Sequence, residues 1–415
     1  MKKKSILAAA LAVLFTAANV AYADIKIAQL DGMSGPFSNV GEQQRRTLQD
    51  MVAEINAAGG LNGEKLELIT IDGKGSPQET LNAFKQATDQ GVRFITQGNS
   101  SAVAAALVDA VSKHNRRNPD ARVVYFNHSG IDNDLTNSKC DFWHFRFDPN
   151  VEMKVSAIAD KLISDDTVKS VYLINQNYAL GQQFSESAKR ILGASDSKLS
   201  VVGDDLHPFG QVKDFSSYAA KIKESGADAV MTGNWGNDLS LLVKAINEAG
   251  LKVGIYTVYG SGFGAPTAIK ENGVDTLKVI SLWLPNIKDD KSAAFANAYN
   301  EKYGQQLYFH QIRTMMQMFA KAANDAGSND PLKVAQKLEG MAFESDTGPV
   351  LMRKDDHQIQ VPLFLGTLKK TASNGGPAEV VYDAENAKLV GFQVDSKVNA
   401  EDTAKQTVCK MNRPS

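Results

Sequence analysis

Strand-like and helical segments alternate along most of this chain. The strand pattern DIKIAQL (24–30) precedes a helical pattern, RRTLQDMVAEINAAG (45–59), and similar pairs continue as far as the strand ARVVYFN (121–127). The order restarts after Pro149 and continues to VGIYTVYG (253–260). Strands that alternate with helices form parallel sheets covered by helices on both faces. The sequence therefore predicts an α/β fold with two doubly wound lobes, and 415 residues suffice for two such cores.

The first 23 residues have the pattern of a secretory signal peptide. A cationic start at Lys2–Lys4 is followed by the apolar run 6–15 and by Ala21-Tyr22-Ala23, which fits a small-x-small cleavage site. The alternative is a membrane anchor, but the apolar run is too short to span a bilayer. We therefore expect export and cleavage after Ala23.

The charge balance argues against a nucleic-acid partner. The formal net charge is −2, and loss of the three lysines of the leader changes it to −2 − 3 = −5. An acidic exported protein has no basic surplus with which to release counterions from phosphates.

Two cysteines, Cys140 and Cys409, are present. In an oxidising compartment an even number favours a disulfide, which here would connect the C-terminal tail to the middle of the chain. Two free thiols are the alternative.

The sequence lacks the motifs of the common enzyme classes. The six histidines have no metal-ligand spacing, and neither a Walker loop nor a Gly-x-Ser-x-Gly elbow is present. We therefore expect no metal, no cofactor and no catalysis, and we favour a binding protein. An enzyme or a ligand sensor on the same two-lobed fold is the alternative.

Two serines, Ser100 and Ser101, stand between the strand RFITQ (93–97) and an alanine-rich helix. Ligands of open parallel sheets bind beyond the carboxyl ends of the strands, where helices begin. A helix start offers unpaired N–H groups and a partial positive charge. The serines either cap this helix or, together with its N–H groups, hold a carboxylate.

Four stretches resemble one family in their order along the chain. They are DGMSGPFSNVGEQQRRTLQDMVAEINAAGGLNGEKLELITID (31–72), QGNSSAVAAA (97–106), NQNYALGQ (175–182) and DFSSYAAKIKESGADAVMTGNWGND (214–238). They resemble the periplasmic solute-binding proteins of ABC importers, in the leucine/isoleucine/valine-binding (type I) family. The resemblance implies a periplasmic monomer that delivers a small carboxylate-bearing solute to a membrane permease.

The resemblance also implies two lobes that are joined by three crossings and close on the ligand. Carried onto this chain, the crossings fall near Asp148, Leu282 and Pro362. The implied first lobe is 24–147 plus 283–361, and the implied second lobe is 148–281 plus 362–415, which includes the tail. We interpret residues 31–44 as a loop that borders the ligand.

Residue by residue, the resemblance implies a binding site built from both lobes. Ser100 and Ser101 should hold the carboxylate. The other implied contacts are Phe37 and Val40 in the loop, Ser129 and Gly130 in NHSGID (127–132), Tyr178 in the second lobe, and Trp235 as a wall.

One position departs from the family pattern. Amino-acid binders of this family hold the ligand ammonium with an acidic residue after the strand that corresponds to VGIYTVYG, and Tyr259 occupies the matching position. A phenol does not supply the full negative charge that a buried ammonium needs. The family implies a branched-chain amino acid, whereas Tyr259 favours an aromatic or aliphatic acid without the amino group. Both ligand classes stay open at this point.

Overall fold

The computed structural model describes residues 25–194, 199–262, 264–285, 287, 290–370 and 390–414. The predicted signal peptide lies outside these residues. Within them, no helix has both the length and the apolar character needed to cross a membrane.

The first sheet has five parallel strands in the order β2-β1-β3-β4-β5. They are β1 (Ile25–Gln29), β2 (Leu66–Thr70), β3 (Phe94–Gln97), β4 (Val124–Asn127) and β5 (His144–Arg146). The helices that connect the first four strands are α1 (Ser38–Ala57), α2 (Pro77–Asp89) and α3 (Ser101–Arg117). This arrangement agrees with the predicted α/β pattern.

The second sheet contains five mutually parallel strands, and their chain order again alternates with helices. The strands are β6 (Ser170–Gln176), β7 (Ser200–His207), β8 (Ala229–Thr232), β9 (Gly254–Thr257) and β10 (Leu277–Ser281). The helices are α4 (Val151–Ile163), α5 (Ala179–Ala194), α6 (Ser216–Ser225), α7 (Gly236–Glu248) and α8 (Ala265–Ile269). Neighbouring residues of β8 enter different cores, Val230 on one face and Met231 on the other. The sheet is therefore buried on both faces, as doubly wound sheets are.

The chain then returns to the first sheet. The returning elements are α9 (Asp290–Tyr303), α10 (His310–Ala326), α11 (Pro331–Leu338) and a small antiparallel sheet of β11 (Ala342–Ser345), β12 (Gly348–Met352) and β13 (Ile359–Gln360). Phe319 of α10 packs on Phe94 and Phe126 of the first sheet, with ring centroids 4.7 and 5.0 Å apart. The first core thus combines residues from distant parts of the chain.

Two further strands, β14 (Leu363–Lys370) and β15 (Val390–Val398), complete the second sheet in antiparallel orientation. The full order of this sheet is β15-β14-β10-β9-β8-β6-β7. The predicted sheet is therefore parallel except at this edge.

The loop predicted over residues 31–44 is partly wrong, because α1 begins at Ser38. Gly41 lies within this first part of α1, although glycine disfavours helix interiors. A Cβ at Gly41 would lie 2.3 Å from the Gly32 carbonyl oxygen. Glycine is required here because the helix packs directly against the preceding loop.

The C-terminal tail is bonded to the loop before β5. Cys140 and Cys409 form a disulfide with their Cα atoms 5.8 Å apart, which confirms the predicted pairing. Near the bond, the Val408 amide donates to Asn137 Oδ1 at 2.7 Å. Arg413 forms an ion pair with Glu339 at 2.9 Å. The tail thus leaves the second sheet and contacts residues that pack around the first.

Candidate functional site

A cavity of about 260 Å³ lies where the carboxyl ends of strands from both sheets meet. Its size is close to the lower end of small-molecule sites. Its walls come from the segments after β1 and after each strand from β3 to β10, and from the starts of α4 and α10. The loops that follow the carboxyl ends of these strands therefore meet at the cavity. This is the expected position of a ligand site in an open parallel sheet.

Most of the residues singled out from the sequence line this cavity. They are Phe37, Val40, Ser100, Ser101, Ser129, Tyr178, Trp235 and Tyr259. Gly130, one of the residues that the structure describes, does not line the cavity. Its N–H donates to Asn127 Oδ1 at 2.7 Å, and its carbonyl accepts from Asn127 Nδ2 at 2.9 Å. Gly130 therefore shapes the turn that presents Ser129, and ligand contact by any of these residues stays a prediction.

The two serines occupy the start of α3. Ser100 is the N-cap, and its hydroxyl accepts a long bond of 3.4 Å from the Val103 amide. Ser101 Oγ accepts from the Asp132 amide at 3.2 Å, which links the segments after β3 and β4. Each hydroxyl has a structural partner, and both residues border the cavity. Capping and ligand binding are therefore compatible at this helix start.

A buried carboxylate holds the segment that leads into α3. Asp31 Oδ1 accepts from the Gly98 and Asn99 amides at 2.9 and 3.2 Å, and Asp31 Oδ2 lies 3.2 Å from His128 Nε2. Burial by itself would raise the pKa of Asp31. The charge and hydrogen bond of His128, together with the bonds from Gly98 and Gln29, outweigh burial and lower it. The ionised Asp31 carboxylate therefore fixes the segment that leads to Ser100 and Ser101.

Ser129 is held from α10. Gln311 Nε2 donates to Ser129 Oγ at 3.1 Å and to the His128 carbonyl at 3.0 Å. The segments after β3 and β4 are therefore fixed against each other by Asp31 and against α10 by Gln311. Neither support was identified from the sequence, because each bond joins positions far apart in the chain.

We expect Gly98→Ala to damage both stability and binding. A Cβ at Gly98 would lie 2.5 Å from His128 Nδ1 and 2.5 Å from the Ser129 amide, so the two segments must separate. Overpacking of this kind costs about 1–3 kcal/mol. Urea denaturation and calorimetric titration of the same preparation measure the two losses. Wild-type affinity in this variant would show that the spacing of the segments is not critical.

The wall formed by the second-lobe segments is aromatic. Phe209 lies between Tyr178 and Trp235, with ring centroids 5.2 and 5.3 Å away. Trp235 Nε1 donates to the Tyr178 hydroxyl at 2.8 Å. Phe209 is 42% exposed although it borders the cavity. Sequence analysis missed Phe209, and its only signal was an aromatic residue in the loop after a strand.

Two charged side chains line the cavity that sequence analysis also missed. Asp148 and Lys154 form a buried ion pair with 2.8 Å between Lys154 Nζ and Asp148 Oδ1. Lys154 Nζ also lies 5.8 Å from the centre of the Tyr259 ring. Burial raises the pKa of Asp148, and Lys154 partly opposes this effect. Asp148 was noted only as a crossing point, and nothing in the sequence marked it as a cavity residue.

Tyr259 has the environment of a neutral hydrogen-bonding group. Burial raises the pKa of its phenol well above the ordinary value, and nearby Tyr178, Tyr308 and Asp148 add to the effect. Tyr259 therefore brings no negative charge to the cavity. No cluster of His, Cys, Asp and Glu suited to a metal ion occurs in the part of the chain that the structure describes.

Comparisons with known proteins agree with this architecture. The model of the periplasmic binding protein family matches residues 24–376. The Leu/Ile/Val-binding protein homolog 4 of Brucella melitensis biotype 1 is 31% identical over 408 residues, which cover 96% of this chain and 95% of the relative.

Two solved structures share the fold of this chain. The leucine-, isoleucine-, valine-, threonine- and alanine-binding protein from Brucella ovis, in its closed conformation, has a TM-score of 0.86 at 30% identity, covering 94% of this chain and all of that one. A solute-binding protein of an ABC transporter from R. palustris, in complex with benzoate, has a TM-score of 0.73 at 18% identity, covering 94% of this chain and all of that one. At that identity the second likeness concerns the fold alone.

Proposed function

This chain belongs to the periplasmic binding protein family, and we propose that it captures an amino acid with an apolar side chain by the ligand's carboxylate. The family consists of solute-binding proteins of ABC importers, not of enzymes. Such proteins bind a small molecule and deliver it to a permease. The carboxylate, the ligand residues and a monomeric state belong to the proposal.

The observation that carries the proposal is the position of the α3 N-terminus at the cavity. Ser100 and Ser101 border the cavity, where the first N–H groups of α3 provide partial positive charge. The aromatic wall of Tyr178, Phe209 and Trp235 suits an apolar ligand body. The names of the two Brucella relatives support an amino acid with a small or branched side chain.

The proposal includes a hinge at Asp148, Leu282 and Pro362. The first sheet ends at Arg146 and the second begins at Ser170, and β10 ends one residue before Leu282. These bounds support lobes of 24–147 plus 283–361 and of 148–281 plus 362–415. The C-terminal tail is part of the range assigned to the second lobe, but it contacts residues of the range assigned to the first lobe. Closure of the lobes would signal ligand capture to the permease.

The exported protein itself provides the test. Mass spectrometry of solutes released on denaturing fresh protein should identify an amino acid with an apolar side chain. The intact mass should correspond to a chain that begins at Asp24, as expected after cleavage in the periplasm. Calorimetric titration of stripped protein should then give micromolar or tighter binding of that solute.

Two results would contradict the proposal. One is the absence of binding to leucine, isoleucine, valine, threonine and alanine. The other is chemical turnover of the released solute, which would favour the alternative of an enzyme built on this fold.

A further inference from the structure

The ion pair of Asp148 and Lys154 is part of the cavity wall and is nearly inaccessible to solvent. Asp148 is 5% exposed and Lys154 is 6% exposed. Asp148 lies between β5 and α4, and Lys154 lies in the first turns of α4. Among the described residues, Lys154 is the only cation within ion-pair distance of Asp148.

Stability alone gives a weak reason for this pair. Removing two charges from water is costly, and apolar replacements of buried ion pairs are often neutral or stabilising. Aliphatic residues would suit the surroundings, since Ile131, Val258 and Ile280 border the same cavity. A charged pair at this position is better explained by a ligand that carries charge.

The charges of the described cavity lining sum to zero, because Asp148 and Lys154 are its only acidic and basic side chains and they form an ion pair. A carboxylate without an amino group would make the closed site net negative. A zwitterion keeps the site neutral, and its two charges match the site: the carboxylate faces the start of α3 and the ammonium faces an acid. A buried ammonium requires such a partner.

We propose that Asp148 accepts the ligand's ammonium group and that Lys154 is the counter-charge of Asp148 in the empty cavity. This inference rests on the proposed function, in which the ligand carboxylate is held at Ser100 and Ser101. It revises the expectation drawn from Tyr259. The acid absent after β9 is supplied from the segment between β5 and α4, so the residues no longer favour a solute without an amino group.

The test compares leucine with 4-methylpentanoate, which has the same body without the amino group. In calorimetric titrations, the stripped wild-type protein should bind leucine at least tenfold more tightly than 4-methylpentanoate. Asp148→Asn keeps the shape of the side chain and removes its charge. We expect leucine affinity to fall at least tenfold in this variant, while affinity for 4-methylpentanoate is unchanged or rises because Lys154 has lost its partner.

A double variant, Asp148→Asn with Lys154→Gln, guards against misfolding, because it leaves no unpaired buried charge. It should show the same loss of preference for leucine. Asp346→Asn is the matched control: Asp346 is a buried acid paired with Arg313 outside the cavity lining, and Arg313 keeps Glu54 as a partner. The control should leave the ratio of the two affinities unchanged.

The outcomes separate this inference from the proposed function. An equal loss of both affinities in Asp148→Asn, or no loss at all, would overturn the role of Asp148. Wild-type binding of 4-methylpentanoate but not leucine would overturn the role of Asp148 and the amino-acid class of the proposed ligand, and only capture of a solute by its carboxylate would remain. Wild-type binding of neither probe, with none of the other amino acids bound, would overturn the proposed function and this inference with it.

Discussion

Replacement of both Ser100 and Ser101 by alanine should reduce ligand affinity more than a hundredfold while the protein stays folded. Hydrogen bonds to a charged group are worth about 1.5–3 kcal/mol each, so the loss of two is worth roughly 3 kcal/mol or more. A difference of about 1.4 kcal/mol changes the dissociation constant tenfold. Calorimetric titration with leucine measures the affinity.

The cost to the stability of the fold should be smaller than the loss of binding free energy. The capping bond from Val103 to Ser100 is long at 3.4 Å, and the bond from Asp132 to Ser101 is an ordinary neutral contact of 3.2 Å. Loss of a cap costs about 1 kcal/mol, and a neutral hydrogen bond contributes a similar amount. Urea denaturation should therefore show a decrease of about 2 kcal/mol.

Asp330→Ala is a matched control for the cap. Asp330 caps α11 with two bonds of 3.1 Å, to the Leu332 and Lys333 amides, and does not line the cavity. This variant should lose about 1 kcal/mol of stability and keep its affinity. If the double serine variant also kept wild-type affinity, the serines would be caps alone and the carboxylate site would lie elsewhere.

Local patterns were sufficient to predict the architecture. The hydrophobic pattern within a short window of sequence distinguishes a strand from a helix. The alternation of the two then indicates a sheet whose faces are covered by helices. The helical pattern predicted over residues 45–59 ends within two residues of the end of α1 at Ala57. The start of α1 could not be predicted in this way, because the close contact of Gly41 with Gly32 forms only in the folded chain.

In the site, too, some positions could be predicted from local sequence patterns and others could not. Ser100, Ser101 and Tyr178 follow strands directly, so the geometry of parallel sheets predicts their position at the cavity edge. Asp148 and Lys154 belong to a turn and a helix start, where charged residues are ordinarily exposed. Their burial depends on packing between distant segments, and no local pattern reports it.

Loss of the disulfide is the change for which we expect the largest effect on stability. In a variant with both Cys140 and Cys409 replaced by serine, the free energy of unfolding should fall by roughly 4 to 5 kcal/mol, because the bond closes a loop over a separation of 269 residues. The cross-link restricts the unfolded chain, and this restriction grows with loop length. Urea denaturation of the variant and of the oxidised wild type measures the difference.

The remaining contacts of the tail cannot replace the bond. The bond of the Val408 amide is exposed, the Arg413 side chain is 40% exposed in its pair with Glu339, and ion pairs open to solvent contribute at most about 1 kcal/mol. The oxidised wild type, unfolded without reductant, should show no thiol that reacts with a labelling reagent, whereas the reduced protein should show two. Two reactive thiols in the unreduced exported protein would mean that the tail is held without a covalent bond. Equal stability of the serine variant would mean that the bond does not stabilise the fold.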